Sequence, residues 1–414
     1  MMAILCRGLN HGENPMRTLT TIVLAALLAS TAHAQSGDAI RIGVLNDMSG
    51  VYSDDQGPGS VIAAQMAVED YGGKAAGKKV EVLSADHQNK TDIGAQVARR
   101  WFDEGVGVIV DVPNSAIALA VSELARDKNK VLIGSGAGTS LLTGEKCSPN
   151  TVHWTYDTWA YGHGLARAVA QQNVKSVYFI TADYAFGHDL EKQFADEFVR
   201  QGGRVLGSAR HPIGTNDFSS LLLQAQASKA DAVAFANAGG DTSNSLKQAA
   251  EFGLGQQQKL LALIMGQNNV RALGLPASLG IMLVVPFYWD MSDQTRAFAQ
   301  RFQARHPKKL MPNDMHAGVY ASVLHYLKAV DKVGSADDGK AVAAAMKAIP
   351  TDDPLFGNGT IRVDGRTLHP MYLFQVKTPA ESKGPWDMYK QVATIPADQA
   401  FRPLNEGGCP LVKQ

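Results

Sequence analysis

Cysteine is scarce in this chain, 3 among 414 residues, and neither charge is in surplus, since 39 Lys+Arg face 39 Asp+Glu. Without a basic surplus there is no electrostatic footprint for nucleic acid or for an acidic membrane surface, so neither is expected as a partner. Charged residues are 19% and hydrophobic residues 45%, a balance that excludes a mainly disordered or collagenous chain. The signatures of catalysis are missing too. Gly134-Ser135-Gly136-Ala137-Gly138 follows an apolar run, but Thr139 stands where a dinucleotide fingerprint needs its third glycine. Ser140 lacks the second glycine of a nucleophile elbow, with Leu142 in its place. No phosphate-binding Gly-x4-Gly-Lys-Ser/Thr loop occurs, and His and Cys show neither His-Glu-x-x-His nor CxxC spacing. No enzyme activity, cofactor or metal centre is therefore expected.

The amino-terminal stretch does not read as part of a fold. Met16-Arg17-Thr18 supplies a start and a positive charge, Thr21 to Ala29 is apolar, and Ala32-His33-Ala34 fits a small-x-small cleavage site. About ten apolar residues are too few for a span that needs about 20. Residues 1–34 are thus expected to be an upstream extension, a start at Met16 and a secretory signal peptide cleaved after Ala34. No cysteine follows the apolar run, so a lipid anchor is not indicated. Cys147 and Cys409 remain, both in turn-rich loops. An exported chain meets an oxidising compartment, so the pair is expected to form a disulfide that ties the tail, residues 403–414, to the body.

Beyond residue 38, short β-branched runs alternate with amphipathic helical patterns. Strands are predicted at 40–45, 79–84, 108–110 and 131–133, with helices at 63–71, 92–104 and 115–128 between them. A second series follows Tyr161, with helices at 164–172, 190–201 and 218–227 and strands at 176–181, 204–208 and 232–236. The pattern predicts an α/β protein of two Rossmann-like lobes with parallel-sheet cores joined by a multi-strand hinge. The lobes are assigned to 39–155 plus 287–364 and to 156–286 plus 365–402. Ligands of such sheets bind beyond the strand carboxyl ends, here in the cleft between lobes. The loops there are small and polar: Asn114-Ser115, Ser135 to Ser140, and Asn237-Ala238-Gly239-Gly240-Asp241. Glycine lets backbone N–H groups approach a ligand, and hydroxyls at helix starts add donors, which suits a carboxylate.

IGVLNDMSGV (42–51), AAQMAVED (63–70), KVLIGSGAGT (130–139), TADYAFGHDL (181–190) and NDFSSLLL (216–223) resemble, in collinear order, the type I periplasmic binding proteins of ABC importers, in the leucine/isoleucine/valine-binding branch. The resemblance implies a periplasmic receptor, a monomer, that closes on a small solute and presents it to a membrane permease. It places carboxylate contacts on Ser115, Gly136, Ala137 and Thr139, and an aromatic cover on Phe186, where relatives often carry Tyr. Asn268 aligns where amino-acid binders have a glutamate for the ligand ammonium; Asp183 or Asp241 could supply the missing charge. Tyr52, Tyr156 and Trp159 lie near the cleft, as does the run Phe287-Tyr288-Trp289. These rings place an aromatic acid ahead of a branched-chain amino acid as ligand. The alternatives are a sensory receptor and, behind it, an enzyme on the same scaffold.

Overall fold

The structure is a computed structural model that describes residues 39–279 and 281–413; the signal-peptide expectation lies outside them. The chain opens with β1 (Ala39–Asn46), α1 (Gly57–Asp70), β2 (Lys74–Ala75), β3 (Lys78–Asp86), α2 (Thr91–Asp103), β4 (Val106–Asp111), α3 (Ser115–Asp127), β5 (Val131–Gly134) and β6 (Thr151–His153). These strands form one sheet in the order β2-β3-β1-β4-β5-β6, parallel apart from the short β2. Ile40, Ile42 and Val44 face one core and Leu45 the other, so both sheet faces are covered, as a parallel sheet requires.

The chain then crosses to a second lobe. It contains α4 (Thr158–Ala170), β7 (Ser176–Ala182), α5 (Ala185–Arg200), β8 (Arg204–His211), α6 (Ser219–Ala227), β9 (Ala232–Ala236), α7 (Gly240–Glu251), β10 (Lys259–Ala262), α8 (Gln267–Leu273) and β11 (Met282–Val285). Its parallel sheet runs β10-β9-β7-β8. After a second crossing come α9 (Asp293–Arg305), α10 (Asp314–Val333), α11 (Gly339–Ala348) and the strands β12 (Thr351–Asp353), β13 (Gly357–Ile361) and β14 (Thr367–Leu368). The helices and Leu355 to Ile361 pack on the first core. A third crossing leads to β15 (Met371–Val376), β16 (Tyr389–Ile395) and the short α12 (Ala397–Ala400), where β11-β15-β16 make an antiparallel sheet on the second lobe. The partition is sharp at the second crossing: Phe287 belongs to the first core and its neighbour Tyr288 to the second.

The crossings are held by an ionic knot. Arg366, fully buried, donates to the carbonyls of Thr155 at 2.7 Å and Tyr156 at 3.3 Å and lies 3.5 Å from an Asp157 carboxylate oxygen. Burial lowers its pKa to about 10, against the pull of Asp157, so it keeps its charge near neutrality. Cys147 and Cys409 form the expected disulfide, with Cα atoms 5.6 Å apart. Arg402 fixes the tail further, donating to the Ser140 carbonyl at 3.0 Å.

Several elements begin earlier than the sequence patterns predict. The first helix, predicted at 63–71, begins at Gly57, where proline at the first positions of α1 is compatible with a helix start because its missing N–H has no intrahelical partner there. In α4, Asp157 accepts from Ala160 N at 2.8 Å and caps a first turn, Thr158-Trp159-Ala160-Tyr161, whose residue types favour strand.

Candidate functional site

The two lobes meet over a cavity of about 40 Å³. Lobe 1 lines it with Tyr52, Asp55 and Gln56 from the segment before α1, with Pro113 and Gly136 from the ends of β4 and β5, and with Asn313, Asp314 and Met315 at the start of α10. Lobe 2 contributes Tyr161 on α4, Tyr184 and Phe186 at the start of α5, Gly239 before α7, and Gly266 and Asn269 around the start of α8. Tyr156, on the crossing, lies between them and donates to the Gly136 carbonyl at 2.9 Å. Gly136 leaves the space that Gln56 and Asp111 need, since a Cβ there would lie 2.6 Å from Gln56 Oε1 and 2.5 Å from Asp111 Oδ1.

Bonds that join the lobes surround the cavity. The Tyr52 and Tyr184 hydroxyls are 2.6 Å apart, and Gly240 N donates to the Val51 carbonyl at 2.9 Å. Gly239, at φ +61°, permits that approach; a Cβ there would fall 2.4 Å from the Val51 oxygen. Asn268 donates to the Asp54 carbonyl at 2.8 Å and to Asp55 Oδ1 at 2.9 Å.

Among the residues expected from sequence, Tyr52, Gly136, Tyr156, Phe186 and Gly239 are brought together in the lining. The others lie elsewhere, each for a local reason. Asn114 caps α3, accepting from Ala116 N and Ile117 N. Ser115 is buried behind the lining and accepts from Thr139 N at 3.2 Å. Thr139 donates its hydroxyl to Asp189 of α5 at 2.8 Å, and the Ala137 carbonyl is 2.6 Å from His153 Nε2. Asp183 points to solvent, where it pairs with His188 at 2.8 Å, so it is not the missing cleft charge. Asp241 is buried outside the lining and accepts from Gly214 N at 3.0 Å; burial, opposed by the Gly214 and Thr215 N–H groups, raises its pKa to about 6. Asn268 bridges the lobes beside the cavity, while its neighbour Asn269 faces in, held by bonds to Gly239 O at 2.7 Å and Ser243 Oγ at 2.9 Å.

Sequence reasoning missed the acidic side of the site. Burial raises the Asp55 carboxyl to about 6, with the Asn268 bond opposing and Asp54 reinforcing the shift. Burial likewise lifts Asp314 to about 7, against the N–H groups of Asp314 and Met315 and with help from the Asp55 charge. Behind Gly136, burial takes Asp111 to about 7 although Ser60 and Asn46 donate to it. Among the described residues, no Lys, Arg or His lines the cavity. Burial also pushes the hydroxyls of Tyr52, Tyr156 and Tyr161 well above their usual pKa, so they stay neutral donors or acceptors. In the sequence, Asp314 reads as the first-turn acid of a helix capped by Asn313, which hides it among ordinary capping residues. Nothing in the sequence pattern of Asp54-Asp55 separates one from the other.

A bilobal α/β chain closing over one interlobe cavity matches a known family: residues 39–385 fit the family described as periplasmic binding protein. The chain belongs to that family. The periplasmic binding protein of Burkholderia mallei is 49% identical, with a TM-score of 0.88 over 91% of this chain and 100% of that one. A branched-chain amino acid ABC transporter periplasmic ligand-binding protein of Burkholderia xenovorans is 41% identical, with a TM-score of 0.77 over 90% and 99% of the two chains. An ABC-transporter solute-binding protein of Rhodopseudomonas palustris, in complex with 3,4-dihydroxybenzoic acid, is 25% identical with a TM-score of 0.77, over 87% and 98%. As a periplasmic binding protein the chain falls among transport receptors, not in an enzyme class. The family and the fold expected from the sequence motifs are borne out.

Proposed function

We propose that this periplasmic binding protein is the receptor of an ABC importer for a small carboxylate whose apolar body, aromatic or branched, lies among Tyr156, Tyr161 and Phe186. It works in the periplasm as a monomer, after removal of residues 1–34, and hands its ligand to a membrane permease. The observation that carries this reading is the set of bonds between lobes around one ring-lined cavity. Such bonds exist only when the lobes are closed, so a solute touching both lobes shifts the population toward closure. At about 40 Å³ the cavity is smaller than the ~150 Å³ that holds a benzene ring. A ring therefore enters an opened cleft and displaces side chains as the lobes shut. The solute's carboxylate meets the backbone at Gly136, the residue of the glycine-rich segment that lines the cavity.

Thermal melting in the presence of benzoate, 4-hydroxybenzoate, leucine and phenylalanine, followed by small-angle scattering with the best of them, tests the reading. A solute that raises the melting temperature and lowers the radius of gyration supports capture by closure. Chemical turnover of the solute, or binding without any change of shape, would count against it.

A further inference from the structure

Room for a solute's apolar body lies one side chain away from the cavity. In lobe 2, β10 pairs with β9 and β11 with β15, and among the described residues no ladder joins β10 to β11. The two sheets therefore end beside each other, and the gap between their edges is a slot of about 360 Å³, bounded by α4 through Gly164, Leu165 and Ala168. Past Ala262 and Met282 it continues into a wider cleft of about 700 Å³ that reaches the surface at Leu279, which is 55% exposed. The side chains lining the slot are apolar apart from the Tyr161 hydroxyl and the amides of Gln171 and Gln172. Tyr161, Ile264 and Met265 line both the slot and the interlobe cavity, so the partition between the two is a single layer of side chains.

We propose that the solute is a carboxylate with an extended, unbranched apolar body, and that the far end of this body passes Met265 into the slot between β10 and β11. The inference rests on the receptor reading above and names the solute class that it serves. Volume is its first warrant. The interlobe cavity, at about 40 Å³, is far below the ~150 Å³ that holds one benzene ring, whereas the slot alone exceeds that size. The partition is the second. Ile264 is branched at Cβ and Tyr161 carries a stiff ring, but Met265 is unbranched with three rotatable bonds and yields most readily. A passage one side chain wide selects a narrow body, which a straight alkyl chain has and a branched one lacks. Because the slot belongs wholly to lobe 2 while Gly136 belongs to lobe 1, a long solute joins the lobes along its own length and favours closure more than a short one does.

Calorimetric titration of the purified protein with butanoate, hexanoate, octanoate and decanoate, below the concentrations at which they form micelles, tests this. Affinity should climb by about threefold to fourfold for each methylene that becomes buried, so decanoate should bind at least about tenfold more tightly than hexanoate. Gly164→Leu and Ala168→Phe fill the slot from α4, and neither residue lines the interlobe cavity. A Cβ at Gly164 meets no atom within 4 Å, and leucine is the better helix former, so that variant should fold as the parent does. Each variant should weaken decanoate by at least about tenfold and leave hexanoate within about twofold. An affinity in the parent that levels off at hexanoate, or a gain with chain length that persists in Gly164→Leu, would overturn the inference. If benzoate or leucine binds and the straight-chain acids do not, the inference falls and the receptor reading stands. If no carboxylate binds, both fall.

Discussion

Two aspartates of equal burial show how differently the hinge side and the cleft are built. Asp189 is 7% exposed and Asp314 is 6% exposed. Around Asp189, donors converge from both lobes: Thr139 Oγ1 at 2.8 Å, Ser140 N at 2.7 Å, Thr158 Oγ1 at 2.6 Å and Gln193 Nε2 at 3.0 Å. Asp314, at the cavity wall, keeps one carboxylate oxygen with no partner among the described residues. A carboxylate fully supplied with donors fastens structure, whereas one left short of them stores binding capacity. The same residue type therefore marks a fastening in one place and an unfilled acceptor beside the cavity in another.

Breaking the fastened side should cost most. Asp189→Ala leaves the donors of Thr139, Ser140 and Thr158 buried without their acceptor, and is expected to destabilise the protein by about 3–5 kcal/mol. Asp314→Asn should leave the stability of the unliganded protein at pH 8 unchanged or raised, because it removes a buried charge that only the N–H groups of Asp314 and Met315 offset and whose second oxygen has no partner among the described residues. Urea unfolding of the two variants beside the parent measures the contrast; equal losses would erase the distinction between the two sites.

The disulfide sharpens the same contrast from the covalent side. It anchors the tail to Cys147, just beyond the Ser140–Thr143 turn that donates to Asp189. Closing a loop of 262 residues restricts the unfolded chain, so Cys147→Ser with Cys409→Ser is expected to lose about 2–5 kcal/mol. Differential scanning calorimetry with and without a solute separates this loss from any loss of binding, which should be small because the bond lies away from the cavity lining.

A pH series distinguishes the acids of the cavity wall next. Burial raises Asp314 to about 7 and Asp55 to about 6, above the value near 3.9 of an unfolded aspartate. On raising the pH the unfolded chain gives up these protons first, so their contribution to stability falls from about pH 4 to about pH 7. Glu197 runs the other way. Burial works to raise its pKa, but bonds from Arg167, Arg200 and Gln201 prevail and hold it at about 2, so its contribution is present above the unfolded value and is lost as the pH falls toward 2. The parent's stability relative to Asp314→Asn should therefore decline between pH 4 and pH 7. A flat difference would show that Asp314 titrates like a solvated acid.

Much of this architecture was legible beforehand because it is written in periodic patterns. The β1, β3, β4, β5 and β7 runs alternate with helices at spacings that only a parallel sheet satisfies, and IGVLNDMSGV and KVLIGSGAGT carry the family resemblance. The aromatic half of the cavity was legible too, through Tyr52, Tyr156 and Phe186. The acidic half was not. Asp55 and Asp314 lie 259 positions apart in sequence, and only the docking of α10 beside the segment before α1 brings them to one wall. Asp183 and Asp241 are candidates in the sequence because they lie in predicted cleft loops, but one side chain turns to solvent and the other to the Gly214 amide. Loop position predicts where a backbone goes; the direction of a side chain depends on donors supplied from elsewhere in the fold.

The smallest effect probes the bond between the lobes that the cleft does possess. Tyr52 and Tyr184 share one hydrogen bond at 2.6 Å, with Tyr52 carried by lobe 1 and Tyr184 by lobe 2. Tyr184→Phe removes that bond and keeps the ring, so the unliganded fold should be unaffected. The closed state loses about 0.5–1.5 kcal/mol relative to the open one. Since a solute held by both lobes must draw on the closed population, its Kd should rise by roughly twofold to tenfold, chiefly through faster release. Stopped-flow fluorescence of solute release would show it. If affinity were unchanged while Asp314→Asn abolished binding, recognition would rest on the acid wall alone, and the tyrosine pair would be a consequence of closure without being one of its causes.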